Sequence, residues 1–436
     1  MSFTPFEIEF TRDGLVFDEA QVTQLLDAAH GLTDLLVLSH GWNNDKAEAS
    51  GLYDTLCANL AKVVAANVVP DLAGREFGVL RIFWPSKRFA DADLIPGGGA
   101  ASANIENDEA LLRVLEELKH DPARLGGSDT SPARSSSIDA AQRLAPRLET
   151  DEAARREFVL HLRAVLDPAA AHPDDGTEEF FTRAPEQIFN SFSDAVPAPA
   201  ATGDGGATSV NDAGGAAGVG DLLAGFKAAA RRIANFTTYC TMKQRAGLVG
   251  SIGLARVLRQ LRDRQPGLRL HLVGHSFGGR LVTAAANALP ANTPAVTMTL
   301  LQAAFSHNGL ASKFDGKNDG AFRNVIAQAR ISGPIAITHT KNDRAVGIAY
   351  PLASRLSRDQ AAALGDKDDP YGGMGRNGAQ HMGGDTVEGE LQRVGNGYSL
   401  ASGKVFNLNA DAFIKDHGDV TGPEVAYALL SVVRTV

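Results

Sequence analysis

The stretch Leu268-Arg269-Leu270-His271-Leu272-Val273-Gly274-His275-Ser276-Phe277-Gly278-Gly279 decides how this chain is read. Leu268–Val273 is a short leucine-rich run suited to a strand, and Phe277–Leu289 follows it as a helix that stops at Pro290. Between them lies Gly-x-Ser-x-Gly. Taken alone the pattern is weak, because a chain with 45 glycines among 436 residues yields roughly a quarter of a match by chance. Its position supplies the weight. A strand that turns into a helix within a few atoms forces the serine into a strained backbone geometry with its hydroxyl presented outward. Glycine at 274 and 278 removes the side chains that would crowd such a turn. The helix start that follows offers the Phe277 N–H to a developing oxyanion.

Working outward, further apolar runs read as strands at Leu35–Ser39, Val79–Trp84, Val296–Leu301, Pro334–Thr338 and Lys404–Leu408. Helical spacing of apolar residues separates them, over Ala47–Ala66, Gly250–Arg264 and a segment beginning at Pro423. This alternation predicts an α/β fold with a mostly parallel sheet flanked by helices. Phe6–Phe10 and Gly14–Phe17 are expected to form an N-terminal hairpin. Directly after the strand Leu35–Ser39 comes His40-Gly41-Trp42-Asn43-Asn44. A backbone amide there would supply a second oxyanion donor: that of Trp42, with Gly41 as the alternative. The competing reading is a plain strand-to-helix turn capped by Asn43 or Asp45.

These two pieces, His-Gly after an early strand and Gly-His-Ser-Phe-Gly-Gly after a later one, resemble the α/β-hydrolase superfamily on its lipase and esterase side. The likeness covers about residues 30–86 and 240–436. It implies an α/β-hydrolase fold and a carboxylic-ester hydrolase in which a Ser-His-Asp triad works through an acyl-enzyme. In that superfamily the nucleophile is followed by an acid after a later strand, then by a histidine near the C-terminus. Ser276 takes the first role. The strand Pro334–Thr338 leads to Asp343, the favoured acid, with Asp366, Asp368, Asp369 and Asp385 of a glycine-rich loop as competitors. That loop is expected at the surface near the mouth of the site. His417, one loop beyond the last strand, is the favoured base, and its rival His381 precedes that strand. His275 is expected to pack beside the turn, and His307 and His339 to be structural or pocket-lining.

The long gap between His40 and Ser276 departs from compact members of the superfamily and points to an insertion. The chain is therefore divided into residues 1–86 and 237–436, which form the α/β core, and residues 87–236, a largely helical insertion or cap. Asn107–His120 and Asp151–Leu166 carry apolar residues at helical spacing within it. The tract 195–220 holds almost nothing to bury and reads as a flexible linker. A lid over an apolar acyl pocket would suit a hydrophobic or lipid ester; a surface for a partner protein is the other reading.

Composition narrows the classes. A net charge of −9 argues against a nucleic-acid partner. No apolar run reaches the roughly 18–20 residues that span a bilayer, and the N-terminus lacks a secretory pattern, so a cytoplasmic address is expected, with signal-less export left open. Cys57 and Cys240 are expected to be buried free thiols. No H-E-x-x-H helix, paired-cysteine spacing or phosphate-binding loop is present, so neither metal nor cofactor is expected. An amidase, thioesterase or phospholipase would use the same triad, and a non-catalytic binding protein on the same fold is a separate class.

Overall fold

Strands apolar on both faces need helices on both sides. The computed structural model, described over residues 3–86, 107–193, 225–343, 345–346 and 367–436, builds such a sheet. In chain order its strands are β1 (Phe3–Glu9), β2 (Asp34–Ser39), β3 (Phe77–Phe83), β4 (Arg269–His275), β5 (Val296–Leu301), β6 (Ile335–His339), β7 (Thr386–Glu390) and β8 (Val405–Asn409). They lie side by side as β1-β3-β2-β4-β5-β6-β8-β7, and every pairing between them is parallel. The strand β2 shows how the two faces are filled. Leu35 and Val37 enter the core on one face, while Leu36 and Leu38 enter the core on the other.

The helices follow from the same pattern. Helix α1 (Glu19–Ala28) precedes β2, and α2 (Lys46–Ala65) follows it, capped by Asp45 and Glu48 in a reciprocal box. Between β3 and β4 lie α3 (Asn107–Lys119), α4 (Pro132–Leu144), α5 (Glu152–Arg163), α6 (Thr177–Thr182), α7 (Pro185–Ser193), α8 (Phe226–Leu248) and α9 (Ala255–Arg264). After β4 come α10 (Phe277–Asn287), α11 (Asn324–Ala327), α12 (Met374–Asn377) and α13 (Pro423–Val433). No described helix is long and apolar enough to cross a membrane.

Several expectations need correction. The segment Phe3–Glu9 is not one arm of a hairpin: it pairs in parallel with β3, and only Phe10 and Val16 bridge in antiparallel fashion. The N–H of Phe17 does bond the Glu9 carbonyl, so a turn exists, but hydrogen bonding to β3 claims the strand. The helix expected from Gly250 begins at Phe226 instead. It passes through a π turn, Val249–Leu254, and continues into α9. The boundary drawn at 236/237 therefore falls inside one unbroken helix. The glycine-rich loop is not wholly at the surface, because Asp369, Met374, Ala379 and Met382 are buried. It leads into β7, an edge strand with exposed side chains. The tract 195–220 and Asp366 lie outside the described residues.

The helices between β3 and β4 share one core with the sheet. Leu111, Leu115 and Leu118 of α3 and Phe158 and Leu162 of α5 are buried, as their spacing predicts, in the same cluster as Leu35, Val37 and Leu281. Arg245, buried on α8, ties this region down by donating to the Pro85 carbonyl and pairing with Asp121 at 2.7 Å.

Candidate active site

In a parallel sheet all the C-terminal strand ends lie along one edge. A crevice forms there where the chain order reverses. Here β2 continues to β3 on one side while its other neighbour, β4, continues to β5 on the opposite side. The reversal falls between β2 and β4, so the loops beginning at His40 and Ser276 meet at it.

Ser276 joins β4 to α10 with φ 56° and ψ −127°, a left-handed geometry that costs a non-glycine residue on the order of 1–3 kcal/mol. Three bonds hold it. Its N–H donates to the Leu301 carbonyl at 3.1 Å, and its carbonyl accepts from Gly279 and Ala304, each at 2.9 Å. The flanking glycines are needed for close approach. A Cβ on Gly278 would overlap the carbonyl oxygens of Ser39 and His40, and one on Gly274 would overlap the Gly278 carbonyl. Phe277 is the first residue of α10, so no preceding helical carbonyl takes its amide.

The His40 loop is held from behind. Burial pushes the His40 imidazole down to about 4, so it is neutral at pH 7. Its Nδ1 lies 2.9 Å from the Gly41 carbonyl oxygen, and its Nε2 lies 3.4 Å from the Trp84 amide. Nδ1–H therefore donates to Gly41 and Nε2 accepts from Trp84. The Asn44 side chain donates to the same Gly41 carbonyl at 3.3 Å. A trans peptide points its C=O and N–H in opposite directions. Holding the Gly41 carbonyl on the His40 side turns the Trp42 amide away from it. A Cβ on Gly41 would stand 2.5 Å from the Ser276 Cβ and 3.1 Å from its Oγ, so this backbone passes directly over the serine. Asp45 does cap α2, as the competing reading of the turn required, and the two arrangements coexist.

Asp343 follows β6 by four residues and is fully buried. Its Oδ1 accepts from the Val346 amide at 2.9 Å, and its Oδ2 lies 2.8 Å from Nδ1 of His417. Burial alone would raise this carboxyl; the His417 charge, the hydrogen bond from His417 and the Val346 amide outweigh it and hold the group below its ordinary value. The bond puts the proton of a neutral His417 on Nδ1 and makes Nε2 the basic nitrogen. The His417 ring lies 4.9 Å from that of His275, the residue next to Ser276.

The structure thus brings Asp343, His417 and the Ser276 turn to one place, with Gly41 against the serine. The rivals stand elsewhere. His381 Nδ1 bonds the Asn308 side chain at 2.7 Å, Asp385 pairs with Arg323 at 3.1 Å, Asp369 accepts from the Tyr371 amide, and Asp368 is exposed. His307 is buried beside Asn377, and His339 ends β6. Cys57 and Cys240 are free thiols, Cys57 half-buried and Cys240 buried, and burial pushes Cys240 up to about 12. Among the described residues no three His, Cys, Asp or Glu side chains converge to hold a metal ion.

Sequence reasoning missed two neighbours. Tyr239 of α8 packs its ring 5.5 Å from that of Phe277, which in turn lies 5.7 Å from Trp42. Gln302, at φ 45° just past β5, bonds Thr338 and the Gly375 carbonyl, and its amide nitrogen comes within 3.5 Å of Asp343. The aromatic spacing Phe236, Tyr239 was visible in the sequence; nothing marked Gln302. No protein-family model, curated protein or solved structure matches this chain.

Proposed function

We propose that the chain is a serine hydrolase of the α/β-hydrolase fold that cleaves carboxylic esters. The observation that carries this reading is the 2.8 Å bond from buried Asp343 to His417, on the same sheet edge as the strained Ser276. His417 Nε2 takes the proton of Ser276 Oγ as the oxygen attacks the ester carbonyl. The amides of Phe277 and Trp42 receive the oxyanion, with Gly41 as the alternative to Trp42. The protonated imidazole, stabilised by Asp343, returns the proton to the departing alcohol and leaves an acyl-enzyme on Ser276. Water, activated by the same imidazole, then releases the acid and restores the serine.

The rings of Trp42, Phe277 and Tyr239 favour an apolar acyl or alcohol group beside the serine. Helix α8, which leads out of the insertion, then supplies Tyr239. The unbroken helix Phe226–Arg264 and the Arg245 anchor favour a fixed roof over a hinged lid at this wall. An amidase, thioesterase or phospholipase would share the triad, and comparison of p-nitrophenyl esters with the matching anilides and thioesters separates them. The deciding experiment is a fluorophosphonate probe followed by mapping of the modified residue. Labelling at Ser276, lost in Ser276→Ala, is the expected result. A folded protein that takes no label would instead be a binding protein.

A further inference from the structure

His275 ends β4 and immediately precedes Ser276, yet its ring reaches across to the His417 loop. Its Nε2 lies 2.8 Å from the backbone carbonyl oxygen of His417, and the two rings are inclined by 42°. A carbonyl can only accept, so the proton of His275 is on Nε2 and Nδ1 is bare. Nδ1 is buried without a hydrogen-bond partner, beside Gly41. An unsatisfied buried acceptor is destabilising. A phenyl ring of similar size would avoid that cost, so packing alone does not account for a histidine here.

We propose that His275 is a positioning residue: its Nε2–H clamps the backbone of the His417 loop and so fixes where the His417 imidazole stands relative to Ser276. The inference rests on the serine-hydrolase reading. The Asp343 carboxylate holds His417 through its side chain, and His275 holds it through its backbone. The flanks of the loop are placed by the Asn342 side chain, which donates to the Ile414 carbonyl at 2.8 Å, and by burial of Ile414 and Val420; between them the bonds from Lys415 to Asp419 and from Gly418 to Asp416 are local turns. The loop is otherwise open to solvent at Lys415 and Asp416. Since β4 carries both His275 and the approach to Ser276, one strand places the nucleophile and the seat of its base. Burial and, after it, the His417 charge push His275 down to about 3. His275 therefore stays neutral when His417 gains a proton, and the clamp holds through the cycle.

The test compares wild type, His275→Phe and His275→Gln by fluorophosphonate labelling rate and by turnover of p-nitrophenyl acetate. The Phe variant keeps the ring and loses the donor. Its labelling rate and kcat are expected to fall about 10- to 100-fold, with KM changed by less than about twofold, since misplacing a catalytic group by about 1 Å costs this much. The Gln variant carries an N–H near the Nε2 position and is expected to recover most of the loss. A purely structural ring would show the opposite order, Phe tolerated and Gln not. If wild type labels at Ser276 and the Phe variant matches its kcat, or Gln is no better than Phe, the clamp is overturned while the hydrolase reading stands. If folded wild type takes no label, the hydrolase reading fails and the clamp with it. Should the Phe variant not fold, His275→Asn replaces it, its shorter amide falling short of the carbonyl; wild-type kcat in that variant overturns the clamp.

Discussion

Asp343 and His417, 74 positions apart in the chain, meet through a 2.8 Å bond between a carboxylate that is fully buried and an imidazole still partly open to solvent. The asymmetry suits a pair in which one member is held and the other must reach a reacting group. Asp343→Asn keeps the shape and places an amide where the Nδ1–H must donate, which favours the wrong tautomer of His417. Ester hydrolysis is expected to fall by about four orders of magnitude with the fold intact. Steady-state kinetics beside a thermal melt checks both halves, and activity near wild type would remove Asp343 from the triad.

Gly41 offers a sharper probe of the oxyanion side. A methyl group at this position has its nearest neighbour at the Ser276 Cβ, 2.5 Å away, so the His40 loop has to move off the serine. Gly41→Ala is expected to lower kcat by about 10²–10³-fold, the loss seen when one oxyanion donor is displaced. The readout is kcat in a variant whose circular dichroism matches wild type. An active alanine variant would mean that the Trp42 amide plays no part.

Stability should depend on pH through histidines buried without charge. Burial lowers His40 to about 4 and His275 and His307 to about 3, and lowers His271 and His339 as well. Unfolded, each titrates near 6.5, so between that value and about 3 the unfolded chain binds more protons than the folded one. Their contribution is complete above pH 6.5 and is lost as pH falls towards the folded values. Asp343, depressed below 3.8, adds a loss at still lower pH. His172 acts with opposite sign, since the pull of Asp174 exceeds the effect of its burial. The Tm is expected to drop steadily from pH 7 to pH 4, and a flat profile would contradict the neutral histidines.

Arg245→Met tests how the insertion is fastened. The change removes the buried donor to the Pro85 carbonyl, while Asp121 keeps its pairing with Arg12 at 3.2 Å. A loss of about 1–3 kcal/mol is expected in urea unfolding, the cost of leaving a buried polar group without its partner. Because α8 shares its core with the sheet, a single transition should shift as a whole. Separate melting of an insertion would speak against the shared core.

Much of the candidate site was legible because its residues sit at strand ends, where short apolar runs are easy to see. Leu35–Ser39, Leu268–Val273 and Pro334–Thr338 each deliver one polar cluster to the same edge, and parallel pairing does the rest. The edges of the sheet were harder. Thr386–Glu390 is a strand only through its bonds to β8, and its exposed TVEGE carries no apolar face. Phe3–Glu9 alternates in a way that suits a hairpin as well as an edge strand, and local pattern cannot choose between partners far apart in sequence. Helix α8 was missed for the opposite reason. Its buried positions include Thr237, Thr238, Lys243 and Arg245, so burial there follows polar pairing that hydrophobic spacing does not reveal. The link from His275 to His417 joins a side chain to a backbone carbonyl, which has no signature in residue type.

The π turn at Val249–Leu254 sets a phase. Its Ala255 N–H bonds the Gly250 carbonyl five residues back, one more than an α-helix allows. Deleting one residue between 249 and 254 would let the helix close into ordinary α form, so the change looks harmless when judged on backbone bonding alone. It would nonetheless rotate everything upstream by about 100° and draw it along the axis by about 1.5 Å. Tyr239 would swing away from Phe277, and a neighbouring side chain of α8 would come round to face that ring. The extra residue works as an indexing notch, by which a one-residue change in length exchanges the side chain packed against Phe277 while the strand-borne groups stay where they are.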